Sequence, residues 1–251
     1  MTDARRPLLV ALLPTYKEAG NIEALVREIL ALAVPADVHV LVADDNSPDG
    51  TGRLVQAMAA DDPRVHAMIR TKRRGRGAAG IDGFKAALAL GAAYVVEMDA
   101  DFSHQPRFVP ALLAAAAGGA DAAIGSRFVA GGSDSDRSIV RRAITWGVRR
   151  FIRRRFRTTV RDVSSGFRLF RREILERIDL DDLISVGPSI VLEILYKMQR
   201  LRATIVEVPI EFVDRRAGTT KLSLLTLFET LLMAVKFPKF YGAVPPKGGA
   251  A

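Results

Sequence analysis

An α/β domain built on a mostly parallel sheet, with helices on both faces, is what this sequence predicts. Short apolar runs alternate with segments of helical spacing through residues 8–125, and the connections between them are short. Polar, acid-rich strings follow the apolar runs at 14–20, 44–51 and 99–104, where an open α/β sheet presents its ligand edge.

The elements follow in order. Residues 8–13, LLVALL, are a short apolar run and the first expected strand. The turn-rich string PTYKEAG leads to Asn21, an N-cap for a helix reaching about residue 32, with Ile22, Leu25, Val26 and Ile29 at helical spacing. A second strand over 38–43 runs into DDNSPDGT, a loop and a helix start together. Residues 65–69 read as a third strand, followed by a loop holding Lys72, Arg73, Arg74 and Arg76 between glycines. A helix over 79–90 precedes the apolar strand 94–98. Pro106 suits the first turn of a helix to residue 117, and a short strand follows over 121–125. The order then becomes less regular. Residues 139–156 predict a basic amphipathic helix with Val140, Ile144, Val148, Phe151, Ile152 and Phe156 near one face. Residues 208–213 are extended, and Pro209 suggests a sheet edge. Residues 222–237 predict a second helix, amphipathic or strongly apolar, and 245–251 a disordered tail. The organisation expected is one catalytic domain over 1–221 and a C-terminal helix with its tail over 222–251.

Composition excludes several classes. The 251 residues, 49% of them hydrophobic, suffice for a full globular core. The absence of cysteine excludes disulfides, thiol catalysis and Cys-ligated zinc. His39, His66 and His104 are too scattered to suggest a histidine metal cluster. No uncharged apolar run reaches the roughly 18 residues of a membrane span, and residues 1–7 do not resemble a signal peptide. No GxGxxG or GxxxxGK[ST] loop occurs, which argues against dinucleotide-binding and P-loop proteins. The net charge of +9 is local: residues 137–161 carry ten arginines and no acid, and the remainder sums to −1.

Asp99 and Asp101 are the central candidates. They emerge where the strand 94–98 ends, and two like charges so close require a cation or a proton. Oxygen ligands beside a phosphorylated substrate suit Mg2+ or Mn2+. A bare DxD is also what a solvated turn looks like, so the context decides. Glu18, and Asp44 with Asp45, follow two other expected strands and share the same sheet edge. Arg127, Arg215 and Lys221 stand in loops, and cations facing carboxylates with a metal make a site for a diphosphate. His104 reads as a loop-packing residue, and Tyr94 and Phe102 as core.

The strings LPTYKE (13–18), DDNSPDGT (44–51), EMDADFSH (97–104), GSRF (125–128), SSGFR (164–168) and EVPIEFVDR (207–215), in this order, resemble the family 2 glycosyltransferases, and within them the dolichol- or polyprenol-phosphate mannosyltransferases. The resemblance implies a GT-A fold, Rossmann-like, and a sugar-nucleotide donor. It implies that Pro14, Tyr16, Glu18, Ala43 and Asp45 contact the nucleoside. It implies that Asp99, Ala100 and Asp101 lie around the diphosphate, with Asp101 the closer metal ligand and Ser103 near the metal. It implies that Arg127, Arg215 and Lys221 bind phosphates of donor or acceptor. Lys17, the basic string Arg73-Arg74-Gly75-Arg76-Gly77, Gly187-Pro188-Ser189 and Thr219-Thr220-Lys221 depart from the usual family pattern. The expected reaction is transfer of a hexose, mannose from GDP-mannose, to a polyprenyl phosphate, by direct displacement with inversion. UDP-glucose with the same lipid class is the alternative within enzymes, and a basic nucleic-acid-binding protein the alternative outside them.

The arginine segment discriminates less. It could be a plain solvated helix face, or a nucleic-acid surface, since phosphate attraction is not sequence-selective, yet aromatics interleaved on a basic helix fit an anionic bilayer surface. With the transferase strings present, the expectation is a cytoplasmic protein, peripheral on the cytoplasmic face of the membrane. No nucleic-acid partner is expected, and there is room for a separate membrane-anchoring partner.

Overall fold

The computed structural model describes residues 6–72, 74–134, 139–212 and 224–245, with backbone alone for 139–143 and 224–228. β1 (Leu8–Thr15), β2 (Asp37–Asp44), β3 (Val65–Ile69) and β4 (Tyr94–Glu97) alternate with α1 (Ile22–Leu30), α2 (Thr51–Asp61) and α3 (Arg76–Ala89). A 3-10 turn, Pro106–Phe108, leads into α4 (Val109–Ala117), then β5 (Ala122–Ser126) and α5 (Ile139–Arg155), and a second, Leu180–Asp182, lies further along the chain. β6 (Arg168–Arg171), α6 (Arg172–Ile178), α7 (Ile190–Arg200), β7 (Ile205–Pro209) and α8 (Leu224–Tyr241) complete the described chain.

The strands form one seven-stranded sheet in the order β3-β2-β1-β4-β6-β5-β7. Only β6 runs against its neighbours. Register pairs Thr15 with Asp44, and Asp44 with Ile69, so β1, β2 and β3 end at one edge. Leu12 pairs with Glu97, which brings the end of β4 to the same edge. Alternation along β1 divides the core: Val10 and Leu12 face one layer, and Leu9, Ala11 and Leu13 the other. The first layer is covered by α3, α5, α7 and α8, the second by α1, α2 and α4. Each fully buried aliphatic side chain contributes about 1.5–3 kcal/mol, so the sheet's central strands are the stable frame of the site.

Several expectations need adjustment. α3 begins at Arg76, three residues before 79, because Gly75 and Gly77 settle into the opposite segment rather than extend the loop. β7 ends at Pro209, earlier than 213, but it is the edge strand that Pro209 indicated. The segment β6–α6–α7 has no counterpart in the expected order; RLFR carries a charge at each end and too short an apolar run to show as a strand.

Of the two outer helices, α5 also differs from expectation. In α5 the apolar stripe is divided: Ile152 and Phe156 are buried and Val148 packs on the core, while Ile144, Trp146 and Phe151 stay exposed. Phe156 meets Tyr196 edge-on at 4.9 Å. Of the two patterns expected for α8, its described side chains show the strongly apolar one. Ala234, Phe237 and Tyr241 are buried against the domain, yet Leu232, Val235 and Phe240 are exposed, so both faces carry apolar residues. Among the described residues no helix is long and apolar enough to cross a membrane. The expected boundary at 221/222 and the tail beyond 245 lie outside the described residues.

Candidate active site

The ends of β1 and β2 are joined by their loops. The fully buried Asp44 accepts the Thr15 hydroxyl at 3.1 Å and the Ser47 amide at 2.8 Å. Ser47 Oγ in turn accepts the Lys17 amide at 2.9 Å, and Thr51 Oγ1 accepts the Glu18 amide at 3.0 Å. Asp49 receives the Ala19 amide and both the amide and hydroxyl of Thr51. Burial pushes the Asp49 carboxyl up, but these hydrogen bonds outweigh it and hold it below its usual value. Of the candidate nucleoside contacts, Pro14 and Ala43 are register partners on β1 and β2, with the Ala43 side chain wholly in the core. Tyr16 is 38% exposed at the loop surface. Glu18 accepts the Asn21 amide group at 3.0 Å. Asp45 is buried and bound to the Arg70 guanidinium, and it accepts the Gly75 amide at 2.7 Å. Arg70 also holds Asp82 at 2.9 Å. Asp45 therefore ties the basic loop before α3 to the end of β2.

The end of β4 carries three carboxylates in three environments. Glu97 is buried, and burial pushes its carboxyl up while Arg76 pulls it back. Asp99 is partly exposed and accepts Arg76 Nη2 at 3.1 Å. Asp101 is buried, with its Oδ1 receiving the Ser103 amide at 3.1 Å and the Ser103 hydroxyl at 2.6 Å. Between them Ala100 is buried, and Phe102 takes a φ of 63°, which turns the chain sharply after Asp101. Burial works against the charge of Arg76, but Glu97, Asp99 and Asp101 outweigh it and hold its pKa above the usual arginine value. His104 Nδ1 accepts the Asp99 amide at 2.9 Å, and burial lowers its pKa. It stacks on Phe167 at 5.1 Å and packs as the sequence indicates.

Past the end of β5, Arg127 is paired with Asp162. Its Nε and Nη2 each donate to one carboxylate oxygen at 2.8 Å, and Nη2 reaches Ser164 Oγ at 3.1 Å. The guanidinium lies between the rings of Phe128 and Phe212, 5.1 and 5.2 Å from their centroids. A cavity of about 540 Å³ opens beside it, lined by Phe128, Ser133, Asp134, Trp146 and Arg149 among others. Arg127 is thus a cation held in place by Asp162 and Ser164.

Behind both groups, the fully buried Arg168 donates to the carbonyls of Ser165, Val163 and Val191 at 2.7–2.9 Å. Burial lowers its pKa to about 10, so it stays charged at neutral pH. It fixes the loop 163–167 against α7.

The structure brings Glu18, Asp45, Asp99, Asp101, Ser103 and Arg127 to one edge of the sheet. Arg215 and Lys221 lie outside the described residues. Sequence reasoning assigned no part to Arg76, Asp162 or Arg168. Arg76 stood among the departures in its loop, Asp162 is the first acid after the ten arginines, and Arg168 closes SSGFR; nothing in those strings alone reveals the partners.

The donor set fits a hard divalent cation. Asp101, oriented by Ser103, and Asp99 offer carboxylate oxygens, and no group of three or more His, Cys, Asp or Glu is placed to hold a metal ion by itself among the described residues. Such a set is completed by substrate phosphates.

Residues 11–179 match the family described as Glycosyl transferase family 2. The chain is 40% identical to a polyprenol monophosphomannose synthase of Mycolicibacterium smegmatis over 85% of its own length and 80% of the relative's. It is 42% identical to an undecaprenyl-phosphate mannosyltransferase of Micrococcus luteus, covering 86% of the chain and 87% of the relative. Among solved structures it resembles glucosyl-3-phosphoglycerate synthase from Mycobacterium tuberculosis in complex with Mn2+, UDP and glucosyl-3-phosphoglycerate, with a TM-score of 0.65 at 21% identity, over 98% of this chain and 83% of that one. That likeness shows the fold, and the sheet described above is of the GT-A kind. The chain belongs to glycosyl transferase family 2 and is a glycosyltransferase.

Proposed function

We propose that this glycosyltransferase moves a mannosyl group from GDP-mannose to a polyprenyl phosphate at a membrane surface, with inversion at the sugar carbon. The observation that carries the reading is the Asp99–Asp101 pair after the end of β4, at the same edge of the sheet as Arg127 after β5, in a chain so similar to two enzymes named for polyprenyl-phosphate mannose transfer.

Charge explains the division of labour. Asp101 and Asp99 would hold Mg2+ or Mn2+ together with the donor's diphosphate, and Ser103 sets the direction of Asp101. The bound cation would stabilise the charge that collects on the leaving nucleoside diphosphate. The nucleoside would lie over the joined β1 and β2 loops, near Pro14, Tyr16, Glu18, Ala43 and Asp45, with Ala100 beside the diphosphate. An acceptor phosphate is already an anion at neutral pH, so no general base is needed. Its oxygen forms the new bond to the sugar carbon as the bond to the donor phosphate breaks. Arg127, held by Asp162, offers that anion a fixed cation. Arg215 and Lys221 keep the phosphate-binding part that the resemblance gives them.

The lipid acceptor supports a peripheral position on the membrane. Arg150 and Arg154 line an exposed groove of about 540 Å³ with Phe151, and Trp146, Leu232, Val235 and Phe240 are exposed nearby in the sequence of α5 and α8. Arginines with exposed aromatics suit an anionic headgroup layer.

The test is a panel of labelled sugar nucleotides offered with a polyprenyl phosphate. GDP-mannose should be the best donor. Preferred use of UDP-glucose would move the reading to a glucosyltransferase, and no transfer from any donor would reject it.

A further inference from the structure

Arg76 has no part in the reaction as described so far. It opens α3 and reaches across to β4: Nη1 lies 3.3 Å from Glu97 Oε1, and Nη2 lies 3.1 Å from Asp99 Oδ1. The position is built from two sides. A Cβ on Gly77 would stand 2.6 Å from the Ser185 carbonyl oxygen, and the Gly77 amide donates to the Val186 carbonyl at 2.8 Å, so the start of α3 is seated against that segment. A Cβ on Gly166 would stand 2.7 Å from Arg76 Nη2, so the SSGFR loop leaves room for the guanidinium there.

We propose that Arg76 is a resident counter-cation of the Glu97–Asp99–Asp101 group, which occupies Asp99 in the empty enzyme and so makes binding of a divalent cation depend on the nucleotide diphosphate. This rests on the sugar-nucleotide reading above. Neighbouring carboxylates need positive charge to stay ionised together. Arg76 supplies it from the chain itself and cannot be removed by a chelator. Its fixed charge also repels a dication at Asp101, and its hydrogen bond competes for Asp99. A diphosphate brings enough negative charge to reverse that balance, so donor and cation enter together. Arg76 acts through Asp99 and is therefore a positioning residue.

The experiment measures Mn2+ binding to the full chain by calorimetry, with and without GDP. The proteins are wild type, Arg76→Gln, Arg76→Lys and the double variant Arg76→Gln with Glu97→Gln. The double variant avoids leaving a buried carboxylate unpaired and so protects the fold. Without GDP, the Gln variants should bind Mn2+ on the order of tenfold more tightly than wild type, and Arg76→Lys should behave as wild type. With GDP the difference should shrink below about threefold. A merely structural role would weaken metal binding in a damaged site, so tightening is diagnostic. Mn2+ affinity in the double variant equal to or below wild type overturns the proposal. If wild type binds Mn2+ with GDP in that case, the sugar-nucleotide reading stands and only the part given to Arg76 fails. If wild type binds no Mn2+ even with GDP, that reading fails and takes the proposal with it.

Discussion

Arg127 and Asp162 form a bidentate pair in which both side chains are buried, at 2.8 Å for each hydrogen bond, with the Asp162 carboxylate also accepting the Arg127 amide at 3.1 Å. Burial pushes the Asp162 carboxyl up, but the Arg127 hydrogen bonds and charge outweigh it and hold its pKa below the usual carboxylate value. Removing one partner strands the other's charge. Asp162→Asn should therefore cost about 3–5 kcal/mol in urea unfolding at pH 7. The sign of the pH effect follows from the depressed value: the pair's stability is fully present above the unfolded carboxyl's pKa and is lost as pH falls through the folded one. The variant's stability should decline less on acidification than wild type's. A loss below about 1 kcal/mol would show that the pair does not carry the loop.

Asp101→Asn should abolish transfer while changing stability by less than about 1 kcal/mol, because an amide oxygen can still accept from Ser103. Ser103→Ala should act more mildly, raising the metal concentration needed by about 10–100-fold. Rates measured against Mn2+ concentration, beside thermal melts, separate the two. An Asp101→Asn protein that turns over like its parent would remove Asp101 from the metal site.

The arginines of α5 are not equivalent. Arg149 is bound to the Arg161 carbonyl at 2.8 Å and lies 3.5 Å from the Phe128 ring centre, whereas Arg150 and Arg154 are exposed. Each exposed arginine near an anionic surface contributes about 1 kcal/mol. Replacing Arg150 and Arg154 with Gln should weaken sedimentation with anionic vesicles roughly thirtyfold at low salt, and high salt should erase most of the difference. Neutral vesicles should not distinguish the proteins. Binding indifferent to lipid charge and to both substitutions would leave the exposed apolar residues of α8 as the contact.

At the opposite end of β2 and β3, His39 Nδ1 and His66 Nε2 lie 2.9 Å apart, and Asp37 stands 3.6 Å from His39. One ring must be neutral for this contact. Burial and the charge of His39 lower the His66 pKa from 6.5. Below that value the unfolded chain takes up a proton that the folded chain resists, so stability falls with pH until the depressed folded value is reached. His66→Gln should flatten the stability profile below about pH 6.5, as read by chemical unfolding across pH. An unchanged slope would show that the pair does not titrate as described.

The first four strands and the candidate carboxylates were legible because periodicity and strand-end position are local signals. The apolar runs of β1, β2 and β4 stand out from the polar strings after them, and register then gathers Glu18, Asp45, Asp99 and Asp101 at one edge. What was not legible depends on long-range pairing. The Arg127–Asp162 pair joins residues 35 apart, and Arg76 meets Asp99 across 23. The amphipathic reading of α5 failed in part because one apolar stripe serves two surroundings: Ile152 and Phe156 enter the core, and Phe151 does not. β6 escaped notice because a four-residue strand between two arginines has no periodicity to read.

The central claim is mannosyl transfer to a lipid phosphate at a metal-dependent Asp99–Asp101 site. It is tested most directly by following label from GDP-mannose into organic-extractable polyprenyl phosphate, with Mg2+ or Mn2+ present and then removed by a chelator. The account predicts transfer that stops on chelation, returns when the cation is restored, and is absent in Asp101→Asn under every condition. Label that stays in the aqueous phase with the cation present, or transfer unaffected by chelation, would contradict it.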